Sequence, residues 1–140
     1  MIILDTNVLS ELMKAEPSLR VREWVAKQAA TELYTTSITE AEILYGIELV
    51  AVGKRREGLL AAAEAMFAED LTGRILGFES DAARAFSKIA AARRSLGRPI
   101  SHADAQIAGI ARVRGAKLAT RNVADFEDCE IDVVNPWGGS

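Results

Sequence analysis

Apolar and polar positions follow two rhythms along the chain. Ile2-Ile3-Leu4 is a short unbroken apolar run, the mark of a buried strand. It stops at Asp5-Thr6-Asn7, residues that favour turns and helix caps. Val8, Leu9, Leu12 and Met13 then recur at helical spacing, so Asp5 falls where a strand ends and a helix begins. Pro17-Ser18 opens a second helix with Leu19, Val21, Trp24, Val25 and Ala29 as its apolar positions. Residues 32–37 predict a strand, and 40–52 a helix broken at Gly53-Lys54. An alanine-rich helix over 55–69, a strand over 74–78 and a helix over 81–96 follow, the last stopped by Gly97. Ser101 leads into a helix over 102–113, stopped by Gly115, and then come a strand over 117–120, a helical turn over 124–127 and a last strand over 131–134.

Strands separated by helices imply an α/β fold of three layers, with a central parallel β-sheet flanked by helices. In such folds ligands bind outside the carboxyl ends of the strands. The length of 140 residues and the absence of internal repeats or low-complexity linkers predict a single domain over 1–140. Gly46, inside the third helix, predicts a close approach of another helix.

Composition narrows the picture. The chain is 49% hydrophobic and 26% charged, which excludes a disordered tail. One cysteine, Cys129, allows no internal disulfide, so a reducing, cytoplasmic location is expected. No apolar run is long enough for a membrane span. The start lacks the basic region of a signal peptide, and residues 138–140 are expected to fray. The net charge of −3 argues against a general nucleic-acid coat protein. It hides a segregation: residues 84–121 carry nine basic residues and one acid, Asp104, whereas 122–140 carry five acids and no base. The basic stretch reads either as a phosphate-facing surface or as a solvated face paired with acids from elsewhere.

Three acids share a position in the pattern. Asp5 follows the first strand, Glu42 lies in the first turn after the second, and Asp104 in the first turn of the helix opened by Ser101. Taken singly, each has an ordinary explanation. Thr39-x-x-Glu42 is a capping box, Ser101-x-x-Asp104 resembles one, and Asp5 suits a turn. Together they mean more. Carboxylates brought to about 5 Å repel by about 3 kcal/mol per pair at an effective dielectric of about 20. Such a cluster needs protons or a cation. All-oxygen ligands suit Mg²⁺ or Mn²⁺, and one His and one Cys make a zinc site a poor match. A hard ion on carboxylates is the usual device of phosphoryl chemistry.

The chain resembles the PIN-domain family, and more closely the VapC- and FitB-type toxins of bacterial toxin–antitoxin pairs. The resemblance rests on Ile3-Leu4-Asp5-Thr6-Asn7-Val8, on Thr39-Glu40-Ala41-Glu42-Ile43-Leu44-Tyr45-Gly46-Ile47 and on Ala103-Asp104-Ala105-Gln106-Ile107-Ala108. Leu118-Ala119-Thr120-Arg121-Asn122-Val123-Ala124-Asp125-Phe126 and the closing Asn135-Pro136-Trp137 complete it. It implies a PIN-like domain acting as a Mg²⁺- or Mn²⁺-dependent endoribonuclease, with the metal on Asp5 and Asp104. Glu42 would bind metal or orient the water, and the Thr6 hydroxyl would support the first acid. The family commonly has an acid where this chain has Asn122, which leaves Asp125, three residues on, to lean in from the next turn. Arg121, beside the site by sequence, either contacts RNA phosphate or pairs with a nearby acid. The resemblance further implies a cognate antitoxin seated on the helices of residues 8–52, and a homodimer that joins the antitoxin in a larger complex. Leu9, Leu12, Met13, Leu44, Ile47 and Val50 are the apolar positions there that divide between core and groove. His102 and Ser101 read as helix-start residues, and Trp24 and Trp137 as packing residues. Two alternatives stand beside the toxin reading: a housekeeping nuclease with no antitoxin, and a non-catalytic interaction module whose acids only cap helices.

Overall fold

The computed structural model describes residues 1–138; residues 139 and 140, most of the expected frayed end, lie outside the described residues. The first strand, β1 (Ile2–Leu4), runs at the centre of a five-stranded sheet. It pairs in parallel with β2 (Leu33–Thr36) on one side and β4 (Lys117–Ala119) on the other. The edges are β3 (Ile75–Leu76) beyond β2 and β5 (Val133–Val134) beyond β4, so the order is β3-β2-β1-β4-β5 and every pairing is parallel. The chain leaves β1 for β2 on one side and later returns to β4 on the other. The crevice at that reversal opens at the carboxyl end of β1, where Asp5 stands.

Alternate side chains of each strand serve opposite faces. Ile3 and Leu118 enter one core with Ala82 and Ile89 of helix α5 (Ser80–Ser95) and Ile107 and Ile110 of helix α6 (His102–Arg114). Leu4, Leu33 and Ala119 enter a second core. It is closed by α1 (Thr6–Leu12), α2 (Leu19–Ala26), α3 (Ser37–Glu48) and α4 (Lys54–Ala65) through Val8, Val21, Ile43 and Ala63. The three layers are those read from the pattern. Among the described residues no helix is long and apolar enough to cross a membrane.

The differences lie at element ends. Helix α3 begins at Ser37, not 40, because β2 passes straight into it. Thr36, still extended, caps it, its hydroxyl accepting from the Thr39 N–H at 3.1 Å. The capping box expected from Thr39 to Glu42 is therefore absent, and Thr39 sits inside the helix with its side chain fully buried. Helix α4 gives way at Met66 to a wide π turn, Met66–Asp70, that sends the consecutive Met66 and Phe67 into the core. The strands expected over 74–78 and 131–134 shrink to two residues each, both at sheet edges where only one neighbour supplies hydrogen bonds.

Close helix approach belongs to a different glycine. A Cβ on Gly46 would meet nothing within 4 Å, so the packing role expected for it does not hold. A Cβ on Gly109 would lie 2.7 Å from the Ala82 carbonyl oxygen and 3.2 Å from the Phe86 nitrogen, backbone atoms of α5 that cannot swing away. Gly109→Ala is expected to cost about 1–3 kcal/mol by overpacking. Gly46→Ala should gain about 0.5–1 kcal/mol by helix propensity. Urea unfolding of the two variants measures both, and equal effects would show that α5 and α6 are not in the contact described.

Candidate active site

Three strand ends supply the site. Asp5 leaves β1 and caps α1. Its backbone N–H still donates to the Ala119 carbonyl at 2.9 Å, which ties it to β4. Its side chain is only 4% exposed. One carboxylate oxygen accepts from the Thr6 N–H at 2.8 Å. The other accepts from the Thr120 hydroxyl at 2.7 Å and the Asn7 amide at 3.4 Å. Thr120, fully buried at the end of β4, in turn accepts from the Asn7 amide at 3.2 Å and the Asn122 N–H at 3.1 Å. The Asn7 carbonyl oxygen accepts from the Arg121 N–H at 3.1 Å. The ends of β1 and β4 are thus laced together around one carboxylate.

Glu42 comes from one turn into α3 and is exposed. Thr6 donates its hydroxyl to Glu42 Oε1 at 2.8 Å and lies 3.1 Å from the Thr39 hydroxyl. The acid is held across the crevice by α1 rather than used as a cap. Asp104 stands in the first turn of α6. Ser101 caps that helix, accepting from the Asp104 N–H at 3.2 Å, so this half of the expected cap is present.

The carboxyls feel one another. Burial pushes Asp104 up to about 6; the charges of Asp5, then Asp125 and Glu42, push the same way, against the Ser101 hydroxyl. Asp5 is also raised, first by burial and then by Glu42, against its hydrogen bonds from Thr120, Thr6 and Asn7. Four acids from four segments therefore share one field. Among the described residues, no three His, Cys, Asp or Glu side chains come close enough to hold one ion between them. Asp5 acts most strongly of the three neighbouring acids on Asp104, followed by Asp125 and Glu42. Mg²⁺-sized ions keep several waters and need only one or two carboxylates, so this all-oxygen set fits such an ion and not zinc.

The basic stretch divides. Arg93 is buried, Arg98 pairs with Glu127 at 2.7 Å and with Asp128, and Arg112 pairs with Glu130. The acids at the chain end thus neutralise part of it. Arg121 is exposed at the end of β4, its guanidinium 5.0 Å from the Trp137 ring centroid. Trp137 packs partly against the second core, as does Trp24. His102 lies edge-on to Phe86, with ring centroids 5.6 Å apart. Leu9 and Ile47 belong to the core, while Val50 and Gly46 line a groove beside Thr6 and Glu42. A larger cleft, about 450 Å³, opens between α1–α2 and the end of α4, lined by Leu12, Met13, Val25 and Met66.

The sequence marks Thr39 only as a helix cap and gives Asn7 and Thr120 no role at the site. For Thr120 a signal existed: it ends a strand beside Asp5's strand, as Asp5 ends its own.

A PIN-domain family model matches residues 2–129. The chain is 40% identical to the VapC ribonuclease Y4jK of Sinorhizobium fredii, over 98% of each chain. It is 34% identical to the toxin FitB of Neisseria gonorrhoeae, over 98% of this chain and 99% of FitB. A structure of FitAB bound to an IR36 DNA fragment superposes with a TM-score of 0.91 at 34% identity, covering 98% of this chain and 96% of that one.

Proposed function

This chain belongs to the PIN-domain family, among the VapC and FitB toxin ribonucleases of toxin–antitoxin systems, and from that premise we propose a Mg²⁺- or Mn²⁺-dependent endoribonuclease that hydrolyses RNA phosphodiester bonds. The observation that carries the reading is the set of acids meeting at the carboxyl edge of the sheet, with Asp104 raised to about 6 by burial and by the charges beside it. A fold that keeps mutually repelling carboxylates together, and braces one of them with two side-chain donors, gives up stability for something.

A bound divalent ion would make a water a better nucleophile and offset phosphate charge. Asp5 and Asp104 would hold it. The lacing of Thr120 and Asn7 onto Asp5 fixes that carboxylate before any ligand arrives, which is what a metal ligand needs. Thr6 occupies one oxygen of Glu42 and aims the acid, leaving the other oxygen to orient a water or take its proton. Asn122 supplies a neutral amide where an acid would add charge, and Asp125 adds a charge from the following turn. Arg121, steadied on Trp137, would contact a phosphate of the strand.

The partners in this reading are an RNA substrate and a cognate antitoxin that covers the face of α1 to α3. A homodimer assembles with that antitoxin into a larger complex, in the cytoplasm. Support comes from the relatives' names and from the FitAB complex. Expressed alone in a bacterium, the protein is expected to arrest growth and create new RNA ends, relieved by its antitoxin. Harmless expression with new RNA ends would favour the housekeeping nuclease. Harmless expression with an unaltered RNA population would leave the interaction module.

Metal and protons compete for the same oxygens. Mn²⁺ affinity is expected to rise with pH through about 6, where Asp104 loses its proton, and then level off. Titrations by calorimetry at a series of pH values follow it. A pH-independent affinity would place the ion elsewhere.

A further inference from the structure

Arg93, in the last turn of α5, carries a charge yet is only 5% exposed. Among the described residues it has no ion-pair partner. Its Nε donates to the Arg98 carbonyl at 2.9 Å, and its Nη1 donates to the carbonyls of Asp125 at 2.7 Å and Glu127 at 3.1 Å. Nη1 also lies 3.8 Å from the buried Cys129 sulfur. These acceptors belong to two separate segments. Arg98 lies in the turn that feeds α6, whose first turn bears Asp104; the other acceptors span the 3₁₀ turn Val123–Phe126, which carries Asp125, and the loop after it.

That loop does not relax into its shape unaided. Asp128 and Glu130 both sit in the left-handed region, at φ 60° and 57°. Each costs a non-glycine residue about 1–2 kcal/mol, and such a conformation persists only where its surroundings over-determine it. The outer ties, Arg98 to Glu127 and Asp128 and Arg112 to Glu130, are exposed ion pairs of little strength. The buried polar tie is Arg93, beside Phe126 and Cys129, whose side chains sit in the first core. A planar guanidinium can face carbonyls on two segments at once, which the single ammonium of a lysine cannot reproduce.

We infer that Arg93 is a positioning residue of the candidate active site: its buried guanidinium fastens the turn leading into Asp104 to the turn that carries Asp125 and to the strained loop that follows it, and so sets the distance between those two acids. The inference rests on the nuclease reading above and adds a residue to it that touches neither metal nor RNA. Partners bonded directly to a metal ligand are worth about 10- to 100-fold in affinity, and Arg93 acts one step further out.

The test uses Arg93→Lys, with Arg93→Gln as a second variant should the first fold poorly, and Ile89→Val on the same helix as a control for general loosening. Three quantities are read: Mn²⁺ affinity by calorimetry, the Mn²⁺ concentration for half-maximal RNA cleavage, and amide exchange in the metal-free protein. For the Arg93 variants, affinity is expected to fall several-fold, up to about tenfold. Half-maximal cleavage should need correspondingly more Mn²⁺, and cleavage at saturating Mn²⁺ should largely recover. Exchange should quicken together in residues 98–105 and 122–130, and not in α1 to α4. The control should keep wild-type affinity. Arg93 variants that bind Mn²⁺ like the wild type, or a control that loses as much, would overturn the positioning role. A wild type that neither binds Mn²⁺ nor cuts RNA would overturn the nuclease reading itself, and the positioning role with it.

Discussion

Asp104→Asn is expected to abolish RNA cleavage while making the metal-free protein more stable above pH 6. The two effects have one origin. Asp104's carboxyl is raised to about 6 because burial and the charges of Asp5, Asp125 and Glu42 disfavour its ionised form. Folded protein therefore holds this proton more tightly than unfolded protein. Its contribution to stability is full below the ordinary carboxyl range near 3.8 and is lost as pH rises through about 6. Asp5, also raised, contributes in the same direction. Asparagine removes the charge and the loss, so the variant's Tm should exceed the wild type's above pH 6 and not at pH 4. Cleavage goes the other way. A carboxylate ligand to a divalent ion supports several kcal/mol of charge stabilisation, so its removal should cost on the order of a thousandfold in rate. Added Mn²⁺ should raise the wild-type Tm and barely move the variant's. Thermal scans with and without Mn²⁺, run beside cleavage assays, read both effects. A variant that is less stable at neutral pH and still cuts RNA would mean that Asp104 is a cap and nothing more.

Thr120→Val carries the second large effect. Valine keeps the volume of this fully buried side chain and deletes its hydroxyl. Asp5 then loses its 2.7 Å donor, and the Asn122 N–H and the Asn7 amide lose an acceptor. Leaving the buried Asp5 oxygen without this donor costs about 1–3 kcal/mol, so the Tm should fall. The Asp5 carboxyl should rise further, because Thr120 is the strongest of the hydrogen bonds holding it down. Metal affinity and cleavage are expected to drop by about 10- to 100-fold. Thr120→Ser, which keeps the hydroxyl, should recover most of the activity. If valine lowers the Tm and leaves cleavage unchanged, Thr120 serves the fold alone.

The layered α/β fold and the placing of Asp5 were legible because both follow from local pattern. An apolar run of three residues followed by Asp-Thr-Asn marks a buried strand and its end whatever lies around it. Asp104 stood out as the lone acid in a basic stretch. What stayed hidden depends on residues far apart in the chain. Glu42 looked like a capping partner of Thr39, but the cap fell to Thr36, and Glu42 bonds to Thr6, 36 positions away. The charge of Arg93 looked available for phosphate, and burial turned it inward to carbonyls of the acidic end of the chain. Gly46 and Gly109 are both helix glycines. Only the packing of α5 on α6 shows which one another helix touches.

Metal-dependent RNA hydrolysis at Asp5 and Asp104 is tested most directly by cleavage of a mixed cellular RNA pool by the purified, partner-free protein, with Mg²⁺, with Mn²⁺ and with chelator, beside Asp104→Asn. Cuts are expected that need either ion, stop with chelator, return when the ion is restored, and are absent in the variant. Cutting that persists in chelator, or equally in Asp104→Asn, would contradict this chemistry.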